Sequence, residues 1–338
     1  MKKITAKKNT LKLGKLEAPF LNSLITKLPK LDSTVIIPPG VGLDAAGIKI
    51  GEKLIAVTSD PITFSTKNIG TYSVAVNIND VVCLGCTPKY YLGCLLLPEG
   101  TTKKTVTSIW HNLSQELKHY NINAIGGHVE VTNTVNTPIL IGQMIGTAIN
   151  KNLLTPQNAK AGDQILLWRN IAIEGTALLA NERYDYLKNF LPSRELKKMQ
   201  KLLHKPGICI WPDIKEIITA KEVIALHDIT EGGIATALHE LADATNCGLK
   251  INEASISIMD ATKKICSIFK IDPLGLLASG SVLIICRKNS AQKLLKKIND
   301  PELKLIGELT ATKKRFLFEN NKKRPLPRYA ADEITRAL

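Results

Sequence analysis

Residues 71–88 read TYSVAVNINDVVCLGCTP. The run is mostly apolar and lacks proline up to Thr87-Pro88, so it predicts a buried helix from Thr71 to Cys86, stopped at that proline. A helix apolar on every side has to be covered on every side. Lys53–Thr58 (KLIAVT) before it and Tyr90–Leu97 after it read as strands, ending at Ser59-Asp60-Pro61 and Pro98-Glu99-Gly100. An amphipathic helix follows over Thr102–Tyr120, with Val106, Ile109, Trp110, Leu113 and Leu117 at helical spacing. Asn123–Ile125 then leads into Gly126-Gly127, and Pro138–Ile149 is a further strand. Two strand–helix–strand passes predict a layered α+β or α/β fold.

The pattern restarts after Ala159–Asp163 (AKAGD), which divides the chain into domains 1–155 and 156–338. In the second half, Gln164–Trp168, Val223–Leu226 and Ser281–Cys286 read as strands. Helices are expected at Gly175–Asn189, Ser193–Leu203, from Gly233 to Asn246, and at Ala291–Ile298. Leu303–Ile306 and Phe316–Phe318 read as edge strands. Neither an internal repeat nor a low-complexity linker is visible.

The 338 residues are 44% hydrophobic and 22% charged, which excludes a disordered chain. No apolar run approaches the ~20 residues of a membrane span. Met1–Lys8 is charged like a signal peptide but lacks the apolar stretch that would follow, so a cytoplasmic protein is expected. The net charge is +15, and residues 1–30, with eight Lys and one Glu, carry +7 of it. A basic arm can serve nucleic acid, but no arginine lies among these lysines, so a solvated arm that the other motifs do not need is the simpler reading. The seven cysteines are mostly set in apolar runs, as reduced, buried thiols are. Cys83 and Cys86 form a CxxC without the second pair or histidine that a zinc site needs.

Acids recur where glycines and strand ends fall: Gly40-Val41-Gly42-Leu43-Asp44, Ser59-Asp60-Pro61, Asn79-Asp80, Gly126-Gly127-His128-Val129-Glu130 and His227-Asp228-Ile229-Thr230-Glu231-Gly232-Gly233. Asp80 lies among valines, where an unpaired carboxylate costs several kcal/mol, so it requires a cation or a dedicated hydrogen-bond partner. Singly, Asp44 and Asp60 are ordinary turn residues. Together these oxygen donors suit Mg²⁺ carried in by a polyphosphate, and glycine turns let backbone amides approach phosphates. His227 reads either as a proton carrier or as a histidine satisfied by its loop neighbours. There is no Walker A sequence and no GxGxxG at a strand–helix junction.

Seven ordered segments, GVGLDAAGI (40–48), TSDPITF (58–64), AVNINDVVCLGCTP (75–88), IGGHVEVT (125–132), IEGTALLANE (173–182), HDITEGGIATALHELA (227–242) and DPLGLLASGSVLI (272–284), resemble the aminoimidazole ribonucleotide (AIR) synthetase superfamily over about residues 11–335. The branch is similar to the hydrogenase-maturation dehydratase. The resemblance implies an ATP- and Mg²⁺-dependent cytoplasmic enzyme of two domains: an N-terminal sheet-and-helix domain that forms a barrel in a homodimer, and a C-terminal α/β domain. By motif it implies Asp44, Asp60, Asp80 and Glu130 as metal ligands. Gly40, Gly42, Asp44, Asn79, Gly126, Gly127 and Thr176 are implied for the nucleotide, and Asp228 and His227 for catalysis. Family members carry an acid directly after the diglycine, where this chain has His128. The implied chemistry passes the γ-phosphoryl of ATP to an amide-like acceptor oxygen, in a hydrogenase-maturation-like or a nucleotide or cofactor biosynthetic step. A non-catalytic nucleotide-binding or scaffolding role on the same fold is the alternative. The chain ends Asp332-Glu333-Ile334-Thr335-Arg336-Ala337-Leu338, without the terminal cysteine on which the nitrile-forming enzyme carries its substrate, so that self-carrier role is not expected. No cysteine precedes the first glycine motif, so selenophosphate synthesis is not expected either. Neither a membrane nor a nucleic acid is an expected partner.

Overall fold

The computed structural model describes residues 11, 13–65, 67–320 and 322–338. The N-terminal domain runs α1 (Ala18–Ile25), β1 (Val35–Ile37), β2 (Ala46–Ile50), β3 (Lys53–Ile62), α2 (Ile69–Cys83), β4 (Cys86–Pro98), α3 (Lys103–His119), β5 (Asn123–Thr132) and β6 (Ile139–Ala148). Its six strands order as β1-β2-β3-β6-β4-β5, and only the β4–β5 pair is parallel. The C-terminal domain runs β7 (Gln164–Trp168), α4 (Ile173–Glu182), α5 (Tyr184–Leu187), α6 (Ser193–Gln200), α7 (Lys215–Ile218), β8 (Val223–Asp228), α8 (Gly233–Ala244), β9 (Gly248–Asn252), α9 (Asp260–Phe269), β10 (Val282–Cys286), α10 (Ala291–Ile298), β11 (Leu303–Thr310), β12 (Arg315–Glu319) and β13 (Lys322–Pro325). Its sheet orders as β13-β12-β9-β11-β7-β10-β8. No helix among the described residues is long and apolar enough to cross a membrane.

Helix α2 is the axis of the molecule, and all fifteen of its residues are buried. It lies on β3, β4 and β6, meets α3, and touches β8 of the other domain. Gly85, at φ +76°, ends it by donating its N–H to the Val82 carbonyl. The helix therefore stops before the expected Thr87-Pro88, and Cys86, Thr87 and Pro88 already belong to β4, opposite Ala148, Thr147 and Gly146. Pro88 is tolerated there because β5 begins only opposite Tyr90, so no partner asks for its missing N–H. Helix α3 starts at Thr102, whose hydroxyl accepts the Thr105 N–H, and buries Ile109, Leu113 and Leu117. Trp110, expected on that apolar stripe, is 55% exposed.

In the second sheet β11 is central and pairs with both β7 and β9, although its sequence reads as an edge. Its apolar pattern is interrupted at Gly307, where the register to β7 shifts and where a Cβ would lie 2.3 Å from the Lys250 carbonyl. Strands β9 and β13 and helix α9 had no expectation. Strand β9 is five residues long with exposed Lys250 and Asn252, and β13 is exposed along its length.

Candidate functional site

The acids converge where α2 meets the ends of β3 and β8. Asp80 is buried on α2, and its Oδ2 accepts a 2.6 Å hydrogen bond from the Thr58 hydroxyl on β3. Burial, then the nearby carboxyls of Asp60, Asp228 and Asp44, push its pKa well above the usual carboxylate range. Asp60 lies two residues beyond Thr58 on the same strand. Its N–H donates to Asn77 Oδ1 at 3.1 Å, while Asn77 Nδ2 donates to the Ser73 carbonyl, so helix α2 fixes the end of β3.

Asp44 reaches this cluster from the turn before β2. Gly42 makes the turn possible: it sits at φ +74°, and a Cβ there would lie 2.5 Å from the Glu240 carbonyl on α8. Gly40 is in the same turn, packed on Leu43. The Asp44 carboxylate holds His227 Nδ1 at 2.7 and 2.9 Å through its two oxygens. His227 Nε2 lies 3.4 Å from Glu240 Oε2. Burial disfavours charge on the ring, but Asp44 and Glu240 outweigh it and push the His227 pKa well above its usual value. Glu240 in turn meets Lys15 Nζ at 3.3 Å. Burial would raise the Glu240 pKa, but Lys15 and His227 hold it down at about 2. Asp228, beside His227 on β8, is 3% exposed; burial and then Asp44 push its pKa well up, and its Oδ2 has no hydrogen-bond partner.

The expected site residues divide accordingly. Asp44, Asp60, Asp80, His227 and Asp228 come together. His227 stands on strand β8 rather than in a loop, bonded to Asp44 through Nδ1 with Glu240 near its Nε2. Asn79 does not join them: its Nδ2 donates to the Ile208 carbonyl and its Oδ1 accepts the Ile210 N–H, so it pins the C-terminal domain to α2. One residue is about 100° of helix, which turns Asn79 away from the face of Asp80. Thr176 does not join them either. It is fully buried in α4, donates to the Ala172 carbonyl at 2.7 Å and bonds the Thr262 hydroxyl at 2.8 Å.

Gly126 and Gly127 lie within β5, the exposed edge strand. A Cβ on Gly127 would lie 2.1 Å from the Gly93 carbonyl, so this glycine sets the close approach of β4 and β5, while a Cβ on Gly126 would make only an ordinary contact with Leu92 at 3.8 Å. Glu130 is 53% exposed, and its Oε2 lies 3.5 Å from His128 Nε2. The register Asp60–Gly142–Gly93–Gly127 puts Glu130 three strands and three residues from Asp60, about 17 Å along the sheet. Within one chain Glu130 is apart from the cluster.

Sequence reasoning did not single out Thr58, Lys15 or Glu240, and it read Cys83, which the structure places beside Asp44 and Asp228, only as half of a CxxC. Thr58 and Cys83 carry a readable signal, two residues from Asp60 on one strand face and three from Asp80 on one helix face. Lys15 overturns the reading of the basic arm as unrelated to the motifs, because it caps the Glu240–His227–Asp44 chain. The lysines at 2, 3, 7, 8 and 12 lie outside the described residues.

The donor set of Asp60 and Asp80 is oxygen only, and the buried Asp228 Oδ2 beside it has no hydrogen-bond partner. That chemistry fits Mg²⁺. Comparison with known proteins agrees with the architecture. Residues 42–148 match the N-terminal domain of AIR synthase related proteins, and residues 160–319 match their C-terminal domain. A Methanocaldococcus jannaschii chain named for hydrogenase expression and formation is 28% identical over 90% of this chain and 91% of its own length. The carbamoyl dehydratase HypE of Escherichia coli is 25% identical over 80% of this chain and 79% of its own. The thiamine-monophosphate kinase of Pyrococcus abyssi is 25% identical over 80% and 82%. The E. coli HypE crystal structure superposes with a TM-score of 0.71 at 23% identity, covering 84% of this chain and 88% of that one. With both domains matched in order, the chain belongs to the AIR synthase related family.

Proposed function

We propose that the chain is an ATP-dependent, Mg²⁺-requiring enzyme that activates an amide-like acceptor oxygen by phosphoryl transfer. The observation that carries this reading is the acid cluster at the seam of the two domains, where Asp80 and Asp228 are buried beside Asp44 and Asp60 and Asp228 Oδ2 has no hydrogen-bond partner. The names of its relatives support it, a carbamoyl dehydratase and a thiamine-monophosphate kinase, as do solved complexes of HypE with ATP and of a thiamine-monophosphate kinase with an ATP analogue.

Asp60 and Asp80 would hold Mg²⁺, which supplies charge neutralisation on the phosphates. Thr58 and Asn77 orient that pair. Asp44 is fixed by His227, with Glu240 3.4 Å from the other ring nitrogen, so His227 positions, and Asp228, whose buried Oδ2 has no partner, is the group placed to move a proton. Strand β5 supports a homodimer: Ile125, Val129 and Val131 are 53%, 47% and 59% exposed on an unpaired edge. A second copy there would bring Glu130 of one chain toward the site of the other.

The test is an ADP-release screen with Mg²⁺ against small amides, carbamoyl compounds and phosphorylated nucleosides. One class should stimulate release at least tenfold, and Asp60→Asn should abolish it. ATP binding without stimulated release by any class would favour a non-catalytic, scaffolding role on the same fold.

A further inference from the structure

We propose that the cavity between α3 and the chain joining α6 to α7 is a binding site for a small organic cation with a flat aromatic body, of the arylamidinium class. The cavity holds about 380 Å³, within the range of small-molecule sites. Helices α2 and α3 wall it on one side and residues 203–213 on the other, so both domains contribute. It lies apart from the acid cluster. Thr71 and Ala75 belong to its α2 wall, and they stand nine and five residues before Asp80, roughly 180° and 140° round the helix from it. The body of α2, about 10 Å thick, therefore separates the cavity from the acids.

The lining sets the class of ligand. The chain has 45 Lys and Arg against 30 Asp and Glu, yet no Lys or Arg lines the cavity, whereas Glu116 and Asp213 do. Glu116 Oε1 accepts the Thr71 hydroxyl at 2.9 Å, and Asn112 holds Thr71 in turn. Among the described residues no cationic side chain pairs with Glu116. Asp213 differs: Arg169, buried behind the wall, donates to its Oδ2 at 2.6 Å, which offsets its charge and fixes its direction. One uncompensated negative charge thus stands in a cavity that the rings of Tyr120 and Trp211 also line. Burial, then the Cys209 thiol, then Glu116 and Asp213 push the Tyr120 hydroxyl above its usual pKa, so both carboxylates act on this one ring. A planar cation can donate two N–H groups to a carboxylate while it lies on an aromatic face. An anion would be repelled by Glu116, and an apolar ligand would strip that carboxylate of water without replacing the hydrogen bonds. Ile208 connects the cavity to the domain seam, because it lines the wall while its carbonyl accepts Asn79 Nδ2. A ligand here braces the contact that Asn79 makes between the domains.

The test is calorimetric titration of the full chain with benzamidine at about pH 8, where free imidazole is uncharged. Benzyl alcohol and benzoate serve as neutral and anionic counterparts. Nucleotide and Mg²⁺ are left out, so the outcome does not depend on whether the chain binds ATP. Benzamidine should bind with a Kd of about 1 mM or below, the scale expected of roughly nine non-hydrogen atoms, and the counterparts at least tenfold more weakly. Glu116→Gln keeps an acceptor for Thr71 and should weaken benzamidine about tenfold, whereas Asp60→Asn in the acid cluster should leave its binding unchanged. Of the three tryptophans only Trp211 lines the cavity, so the fluorescence change on binding should disappear in Trp211→Phe. No heat at ten times the expected Kd, equal binding of a counterpart, binding that survives Glu116→Gln, or binding lost with Asp60→Asn overturns the proposal. If Glu116→Gln fails to fold, Trp211→Phe decides, and a fluorescence change that persists in it overturns the proposal.

Discussion

Asp80→Asn separates what the buried acid does for folding from what it does for ligand binding. In the unliganded chain Asp80 is pushed toward its protonated form by burial and by Asp60, Asp228 and Asp44. Asparagine has the shape of a neutral carboxyl, and its carbonyl still accepts the Thr58 hydroxyl that now bonds Oδ2 at 2.6 Å. The unliganded variant should therefore stay within about 1 kcal/mol of the parent, the scale of a single exchanged hydrogen bond. Ligand is a different matter. At a hundredfold excess over Kd, Mg²⁺-ATP adds about 2.7 kcal/mol to the parent, several degrees of melting temperature. Asparagine carries no charge to hold the cation, so the variant should gain almost nothing. Thermal melts with and without Mg²⁺-ATP read both numbers. A variant that loses more than about 3 kcal/mol without ligand, as removal of one member of a buried ion pair does, or one that keeps the ligand-induced rise, would refute the reasoning.

Asn79→Ala leaves the Ile208 carbonyl and the Ile210 N–H unpaired in the interior. At about 1–3 kcal/mol for each, it should cost roughly 2–6 kcal/mol in urea unfolding, and a loss below about 0.5 kcal/mol would contradict its role as a domain clamp. Gly42→Ala should weaken Mg²⁺-ATP binding about tenfold by lifting the Asp44 turn off α8, whereas Gly51→Ala, also at positive φ but with nothing within 4 Å of its Cβ, should leave binding unchanged in calorimetry. The pKa of Glu240 is lowered from 4.5 to about 2 in the folded chain. The stability this gives is present above pH 4.5 and is lost as pH falls toward 2, by about 3 kcal/mol in all. Lys15→Met should remove much of that acid-range slope in denaturant melts, and an unchanged slope would show that Lys15 does not hold Glu240.

The parts of the site legible in the sequence were those where a residue violated its surroundings. Asp80 among valines demanded a partner, and the structure supplies Thr58 and a ring of acids. Asp44 and Asp228 stood out by their glycines, although the Gly42 contact shows that this glycine serves the packing of backbone on α8. Asn79 adjoins Asp80 in sequence but not on the helix face, and its amide spans to Ile208 and Ile210; the polar residue of α2 that reaches the end of β3 is Asn77, which accepts the Asp60 N–H. Thr176 looked like a ligand residue only by its motif, and its hydroxyl is satisfied inside the core. Lys15 and Glu240 meet across 225 residues, a pairing with no local signal. In the fold, the α2 layer was readable from its apolar run, whereas the central place of β11 depends on tertiary pairing that a strand interrupted at Gly307 does not announce.

Calorimetric titration of the native chain with ATP, run with Mg²⁺ and with chelator in two buffers of different ionisation enthalpy, tests the central claim most directly. The acid cluster predicts binding that requires Mg²⁺ and releases protons, because burial and the neighbouring acids push the Asp80 carboxyl toward its protonated form and a cation reverses that. ATP binding of equal strength in chelator, or binding whose heat is the same in both buffers, would contradict it.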